Sequence, residues 1–541
     1  MKCLLQKLFL FVTLLDGPYV FSQEVITGNV QDEFGQPLPG VTVIETGTSN
    51  GVVTSFEGDY TITVTTPTPT LTFSYVGFKA KTLTVAGRDV INVTMEEDIE
   101  SLQDVVITAL GFKENKDELG YASSTVSGKE VAESGESTLL NGLSGKSSGV
   151  RISRNSGDPG AGAYIQIRGL SSITRNSQPL IVVDGVPISN DVRGNSESSG
   201  VSQESRLNDI NPNDIESMSI LKGASAAALW GTQALGGVII ITTKSGDYNR
   251  PLSVTYSSTY SYDKINRRYP VQTKYGQGDN GVYNQRARDS YGDLIADRSG
   301  GEDDFNTSGQ FYEDQDGRIY YPIVNKNSQE LYNDSNFDQI FDNGQFFENN
   351  LSLNGGNEKS TVFFSMSDLD QQGIIINNSD YRRTTARFNA QHKFNEIIDL
   401  KLSSTYVRTN SNRIRKGSSS SGLYLGLLRT PADFDISGYR GDYYSSSDAS
   451  PIPNRHRSYR EPLGADDSPT HNNQLWTSNE QENESKVDRF ISNFELTASP
   501  VSWLDLIDRV GIGHYSEHRY EVFTPGSTAG AFRSGLRDRG L

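Results

Sequence analysis

Cysteine is almost absent from this chain: Cys3 is the only one in 541 residues. That excludes a disulfide framework or a cysteine-ligated metal in the body of the protein. Long apolar runs are missing as well. After the amino terminus no window approaches the roughly 18 consecutive apolar residues that a membrane helix requires. Basic residues are in the minority, 49 Lys and Arg against 67 Asp and Glu, for a net charge of -18. Such a chain is a poor ligand for nucleic acid, whose binding rests on neutralising phosphates with cations. Hydrophobic residues make up only 35% of the chain, yet aromatics reach 10%. Disordered chains are poor in aromatics, so the composition points to a mainly β protein whose strands carry one apolar and one wet face. The length allows three or four structural units.

What is present begins with a targeting segment over residues 1–23. Lys2 and Lys7 give it a basic start, Leu8 to Leu15 an apolar core, and Gly17-Pro18 a break, with cleavage expected near Ser22 or Gln23. Cys3 precedes the apolar core and is misplaced for a lipoprotein cleavage site. An exported protein without membrane helices can still reside in a membrane as a closed β-barrel, which leaves no unpaired sheet edge in lipid.

Residues 24–98 read as a compact β unit. Strands are expected over Val25–Val30, Val41–Thr46, Tyr60–Thr65, Leu71–Tyr75, Lys79–Val85 and Val90–Met95, with turns such as Asp32-Glu33-Phe34-Gly35 and Glu57-Gly58-Asp59 between them. This spacing indicates a small β-sandwich. The stretch GNVQDEFGQPLPGVTVIETGT, followed by FEGDYTITV and FSYVGFKAKTLTV, resembles the carboxypeptidase-regulatory-like domain. Residues 99–111 then form a linker containing SLQDVVITALG. Its run of Val105, Val106, Ile107 and Thr108 is an aggregation hazard unless something pairs with it. It is either one more sandwich strand or a segment that awaits an outside partner.

Residues 112–247 hold two dense blocks, GVRISRNSGDPGAGAYIQIRGLSSITRNSQPLIVVDGVP and LNDINPNDIESMSILKGASAAALWGTQALGGVIIITTKSG. Strands are expected over Tyr164–Arg168, Leu180–Asp184, Met218–Leu221 and Val238–Thr243, with an alanine-rich helical turn over Ser225–Trp230. Asp184-Gly185 is a hairpin signal, and Val238 to Ile241, apolar on both faces, reads as a buried strand. These blocks resemble the plug domain of a TonB-dependent outer-membrane receptor of the SusC/RagA type. LLNGLSGKSSGVRI resembles the opening of such a plug; Gly223-Ala224-Ser225 departs from it, since many members carry an acidic residue after the lysine. The resemblance implies a plug motif of Arg168, Gly169, Asp184, Gly185, Lys222, Gly231 and Gly237. It also implies that Asp104, Val105, Val106, Ile107, Thr108 and Ala109 form a TonB box, an edge strand added to the periplasmic TonB protein by backbone hydrogen bonds. TonB, with its inner-membrane energising complex, a SusD-like surface lipoprotein, and an oligosaccharide or peptide substrate are the implied partners. Neither a cofactor nor enzymatic chemistry is implied.

From residue 248 to 541 the texture changes to amphipathic strands and long polar loops. Val254, Tyr256, Tyr260 and Tyr262 share one face of Ser253–Tyr262; Ala386, Phe388, Ala390 and Phe394 oppose Arg383, Thr385, Arg387, Asn389 and Gln391. Leu400, Leu402 and Tyr406 oppose Lys401, Ser403 and Thr405, while Phe490, Phe494 and Leu496 oppose Arg489, Asn493 and Glu495. Such alternation over about ten residues marks an outer-membrane strand between the lipid bilayer and water. The loops Asn266–Gln345 and Ser411–Lys486 suit the extracellular side and ligand contact. Receptors of this kind close with about 22 strands. About seven to nine strands of roughly ten residues are expected here, and Arg537 to Leu541 does not read as an amphipathic closing strand. The fold expected is therefore a small β-sandwich, a mixed α+β plug, and an incomplete antiparallel transmembrane β-barrel of a truncated receptor.

Other motifs carry little. His514-Tyr515-Ser516-Glu517-His518 matches H-x-x-E-H, but glycines and aromatics around it read as strand and turn rather than helix. Gly47-Thr48-Ser49-Asn50-Gly51 fits G-x-S-x-G without the strand-to-helix context and reads as a β-turn. Gly145-Lys146-Ser147 lacks the first phosphate-loop glycine, since Leu140 stands in its place. Asp314 and Asp316 begin an oxygen-rich loop that lacks the later carboxylate of a calcium site. Two rival functions remain: a secreted adhesive β-protein that binds glycan without transport, and a zinc enzyme resting on His514, Glu517 and His518.

Overall fold

In a computed structural model of the chain, residues 24–48, 50–66, 69–96, 105–107, 113–115, 122–136, 138–171, 177–190, 201, 204–223, 230–416, 422–466, 469–527 and 537–540 are described. The targeting segment and the helical turn expected over Ser225–Trp230 lie outside them, except for Trp230. Two compact units are present, one holding the stretch through Val106 and the other nearly everything from Ala122 onward.

The first unit is a sandwich. Asp59–Val64, Glu24–Gln31 and Val93–Thr94 form one sheet, and Gly51–Val53, Thr42–Glu45, Thr70–Ser74 and Lys81–Thr84 the other. The short Gly51–Val53 strand was not expected. It pairs antiparallel with Thr42–Ile44, and Gly47 between the two strands adopts φ +83°. Period-two alternation buries every second residue, Tyr60, Ile62 and Val64 against Leu71 and Phe73. Tyr60 and Phe73 meet edge to face at 5.4 Å.

The second unit has an inner sheet and an outer wall. The inner sheet runs Ala122–Ser127, Ile215–Lys222, Val238–Thr243, Leu180–Val183, Val186–Ile188. Val238–Thr243 is central, antiparallel to Ile215–Lys222 and parallel to Leu180–Val183, so it is apolar on both faces. Val150–Arg154 and Ala163–Ile167 pair beside it. Short helices Gly128–Ala132 and Leu139–Leu143, capped by Ser127 and Thr138, cover the sheet.

The wall is one antiparallel sheet of eight strands in meander order: Ser253–Asp263, Gly344–Gly356, Ser360–Gln372, Asp380–Lys393, Ile398–Asn412, Gln481–Val501, Leu504–Phe523 and Arg537–Gly540. Arg537–Gly540 is a short strand paired to Glu521–His518. The sheet is open, with Ser253–Asp263 at one edge and Arg537–Gly540 at the other. No helix among the described residues is long and apolar enough to cross a membrane. Outward rows of large apolar residues, including Tyr260, Phe347, Phe388, Phe490 and Val510, stay exposed. On the central strands the inward residues, among them Arg383, Thr385, Arg387, Asn389, Arg489 and Asn493, are buried rather than wet because the inner sheet fills the concavity, whereas both faces of Ser253–Asp263 stay open.

The two long connections are not simply polar. Their limits are shorter than expected, since Gly344–Gln345, Ser411–Asn412 and Gln481–Lys486 belong to wall strands. They fold into a cap around Ile340, Ile375, Ile414, Leu423, Leu427, Phe434, Ile436 and Tyr459. Helices Asn333–Asp338, Leu423–Arg429 and Gln474–Glu480 contribute to it. The apolar residues are spaced too irregularly along turn-rich sequence to show as periodicity.

Candidate functional site: the seam between inner sheet and wall

The inner domain meets the wall through polar and charged groups. Asp184 lies at the tip of the two-residue turn joining Leu180–Val183 to Val186–Ile188, with φ +47° at Asp184 and +87° at Gly185, the paired positive values of a type I′ hairpin. Its carboxylate accepts from Thr243 N (3.0 Å) and Thr243 Oγ1 (2.7 Å) within the inner sheet. Across the seam it accepts from Arg387 Nη2 (2.6 Å) and Ser403 Oγ (2.9 Å). The Asp184 carbonyl accepts from Asn493 Nδ2 (2.8 Å). One turn thus holds three wall strands. A Cβ on Gly511, in a fourth, would stand 2.5 Å from Val186.

A second contact is the segment Glu204–Asp214. Glu204 is buried and pairs with Arg206 beside it and Arg413 just past the wall strand Ile398–Asn412, and accepts from Ser411 of that strand. Burial pushes its carboxyl up, but Arg413 and Arg206 outweigh this and hold it at about 2. Arg489 Nη1 donates to Asp209 Oδ2 (3.0 Å) and to the Arg206 carbonyl (2.8 Å). Arg383 Nη1 donates to the carbonyls of Asn208 (3.0 Å) and Ile210 (3.3 Å), and its Nη2 to Glu348 (3.0 Å). Asn211 reaches Asn350 and Ser367, each at 3.0 Å. Asp209 and Asp214 differ from Glu204: burial raises both carboxyls, in spite of Arg206 and Arg489 beside Asp209 and Arg387 beside Asp214, and Ser365 Oγ donates to Asp214 at 2.5 Å. Asp158 pairs with Lys416. Of the wall's apolar side chains, only Ile491 joins the inner domain's main core among the described residues.

This arrangement can hold and release. A hydrogen bond lost to a neighbour is regained with water at a net cost of about 0.5–1.5 kcal/mol, or about 1.5–3 kcal/mol for charged partners. Separating apolar surfaces would cost about 25 cal/mol per Å² with no such replacement.

The expected plug-motif residues fall into groups. Arg168 (φ +55°) and Gly169 (φ +106°) turn the chain so that Arg168 Nη1 donates to the Lys222 carbonyl at 3.2 Å. Lys222 Nζ lies 3.4 Å from Ser148 Oγ. Gly231 (φ +60°) opens a short 3-10 turn, and Gly237 (φ +93°) follows it, packed so closely that a Cβ would meet the Leu221 carbonyl at 2.9 Å. Of this set, Asp184 and Gly185 reach the wall, at Arg387 and Arg509. Val105–Ile107 is a short strand paired with Lys113–Asn115; Asp104, Thr108 and Ala109 lie outside the described residues. Asp314 ends a strand at a hairpin, where its Oδ1 accepts from the N–H groups of Asp316 (3.0 Å) and Arg318 (2.9 Å) and its Oδ2 from Tyr320 (3.2 Å). His514 and His518 are exposed on the outward face of Leu504–Phe523, whereas Glu517 is buried on the other. A strand cannot bring the three together as a helix would. Sequence reasoning missed Glu204, Arg206, Asp209, Arg413 and Arg489; the acidic run LNDINPNDIE facing arginines at alternate wall positions was the available signal.

Residues 115–238 match the TonB-dependent Receptor Plug Domain and residues 26–107 the CarboxypepD_reg-like domain. TonB-dependent receptor P39 of Formosa agariphila is 32% identical over 427 residues, covering 78% of this chain and 36% of its own length. TonB-dependent receptor SusC of Bacteroides thetaiotaomicron is 32% identical over 378 residues, covering 70% and 33%. The RagAB peptide importer in its closed-closed state shares the fold, with a TM-score of 0.55 and 20% identity over 75% of this chain and 42% of that one. The chain spans about a third of the length of the curated relatives it matches. Plug, sandwich and amphipathic wall agree with these likenesses, and the chain belongs to the TonB-dependent receptors of the SusC/RagA type.

Proposed function

We propose that this protein imports an oligosaccharide or peptide across the outer membrane, with the inner domain as a plug displaced by TonB. The carrying observation is the hydrogen-bonded seam, in which Asp184, Glu204 and Asp209 meet Arg387, Arg413 and Arg489. A plug held this way can be drawn aside without tearing an apolar core. Asp104–Ala109 is the tether that TonB grips by strand addition, transmitting inner-membrane energy to residues 112–247. The sandwich at 24–98, the linker at 99–111 and the wall from 248 complete the assignment, after removal of residues 1–23. A SusD-like lipoprotein covers the cap and helps to capture the substrate. RagAB, which shares the fold, is a peptide importer, and the cap's aromatic and amide groups suit peptides or sugars.

Deletion of Asp104–Ala109 tests this reading. Uptake of labelled oligomer by whole cells is expected to stop while surface binding persists. Undiminished uptake would sink the proposal and leave adhesion as the alternative.

A further inference from the structure

Three bulky apolar side chains of the sandwich stand almost wholly in water: Phe34 is 83% exposed, Phe56 88% and Val76 93%. They sit on separate turns, yet the strand registers gather those turns at one pole. Asn29 lies opposite Asp59, so the turn after Gln31 adjoins the turn before Asp59. Thr42 faces both Val53 and Ser74, so the chain leaving Val53 for Phe56 and the chain leaving Ser74 for Val76 start from neighbouring rungs.

Each turn is braced. The Asp32 carboxylate accepts from the N–H groups of Phe34 (2.9 Å) and Gln36 (2.7 Å). The Ser55 hydroxyl accepts from those of Glu57 and Asp59, both at 3.2 Å. Asn29, on the strand that leads into the first turn, donates to the Glu57 carbonyl (2.7 Å) and to Asp59 (2.8 Å) of the second. Phe78 N–H closes the third turn on the Tyr75 carbonyl at 3.2 Å. Single exposed apolar residues need no explanation, but three held out by rigid turns at one pole mark a contact surface with little left to order on binding.

The rim says what fits there. Glu33, Glu57, Asp59 and Glu96 are exposed around the pole; of the two neighbouring cations, Lys79 is paired with Glu96 at 3.7 Å and Lys81 donates to the Thr94 carbonyl at 2.9 Å, so carboxylates outnumber them. The complement is a basic protein surface with apolar sockets; an anionic membrane would be repelled. The chain also leaves the sandwich at this pole, because Val93–Thr94 runs parallel to Val30–Gln31. The eight steps from Glu96 to Asp104 extend to at most about 28 Å, so a protein gripping the tether is confined near the pole.

We propose that the Phe34–Phe56–Val76 pole is a second docking site for TonB, engaged together with the tether. This rests on the tether reading above. Two linked sites raise the overall affinity through effective concentration, without either being strong alone.

The test uses the receptor in its own outer membrane, titrated with the soluble periplasmic part of the same cell's TonB. Phe34→Ser, Phe56→Ser and Val76→Ser combined are expected to weaken binding about tenfold at unchanged thermal stability, since the three side chains contribute nothing to the core. Glu33→Lys with Glu57→Lys weakens it too, more at low salt than at high. If both variants bind TonB like the parent while deletion of Asp104–Ala109 abolishes binding, the second site is overturned and the import reading stands. If the serine variant loses TonB and the tether deletion does not, the pole is supported and the tether reading fails. Anionic phospholipid vesicles that release the serine variant, with TonB affinity unaltered, overturn the proposal in favour of a membrane contact.

Discussion

Asp184 and Arg387 meet at 2.6 Å where the plug's tightest turn touches the wall. The guanidinium is shared with Thr405 (2.6 Å) and Ser403 (2.8 Å), so the aspartate enters a site already lined with hydroxyls. Arg387→Ala leaves a half-buried carboxylate without its cation, a cost toward the low end of the about 3–5 kcal/mol of a fully buried pair. Asp184→Asn combined with Arg387→Gln leaves no net charge and is expected to cost less than the single change, a coupling that a double-mutant cycle reads. Limited proteolysis of the plug and single-channel conductance are the measurements. Arg387→Ala should raise both, and parental values would show that this pair does not latch the plug.

The alternating strands were plain in the sequence because period two in Arg383–Phe394 sorts side chains to lipid or interior before any packing is known. Asp184-Gly185 was equally plain, since few dipeptides accept two positive φ values. The seam was hidden for the opposite reason. Glu204 meets Arg413 and Asp209 meets Arg489 across more than 200 residues of chain, and neither local period nor spacing reports such pairings. The cap was hidden because its core is assembled from single apolar residues scattered among Asp, Asn and Ser.

The outward face makes a separate claim. Phe388 is 40% exposed and lies opposite Phe364 and Ser404 on neighbouring strands. Phe388→Arg places a charge against lipid and is expected to cost on the order of 2–4 kcal/mol near the bilayer midplane. Phe388→Leu should be nearly neutral. The yield of folded receptor in the outer membrane, read from heat-modifiable gel mobility, distinguishes them; equal yields would remove the lipid-facing assignment.

The cap should respond to acid. Burial holds the His456 imidazole down at about 3, and it stacks on Trp476 at 4.6 Å. Burial, with Arg429 and Arg460 nearby, holds His471 at about 4. Both are neutral when folded, whereas an unfolded histidine titrates near 6.5. Acidification therefore protonates the open state first, and stability present above pH 6.5 is lost as pH falls toward 4. The loss is roughly 2 kcal/mol per histidine at pH 5. Proteolytic nicking of residues 422–480 should accelerate between pH 6.5 and 4.5, and less so in His456→Phe, which keeps the stack without the proton. A pH-independent rate would contradict the burial of these rings.

Gly160 tests how closely plug and wall fit. It has φ +63°, and a Cβ there would lie 2.3 Å from the Tyr381 ring of the wall. Tyr381 is fully buried and its hydroxyl donates to the Asn208 carbonyl at 3.2 Å, while Asn208 Nδ2 donates to the Gly160 carbonyl at 2.8 Å. The ring cannot retreat without breaking this triangle. Gly135, also in the plug, has nearly the same backbone (φ +65°) but open space around it. Alanine at either glycine carries the same left-handed strain of roughly 1 kcal/mol, so the difference between the variants isolates the clash. Gly160→Ala should lose about 1–3 kcal/mol more than Gly135→Ala. The excess should shrink when Tyr381→Leu removes the ring. Thermal melts of the two variants give the comparison, and equal losses would mean that plug and wall are not in contact at Tyr381.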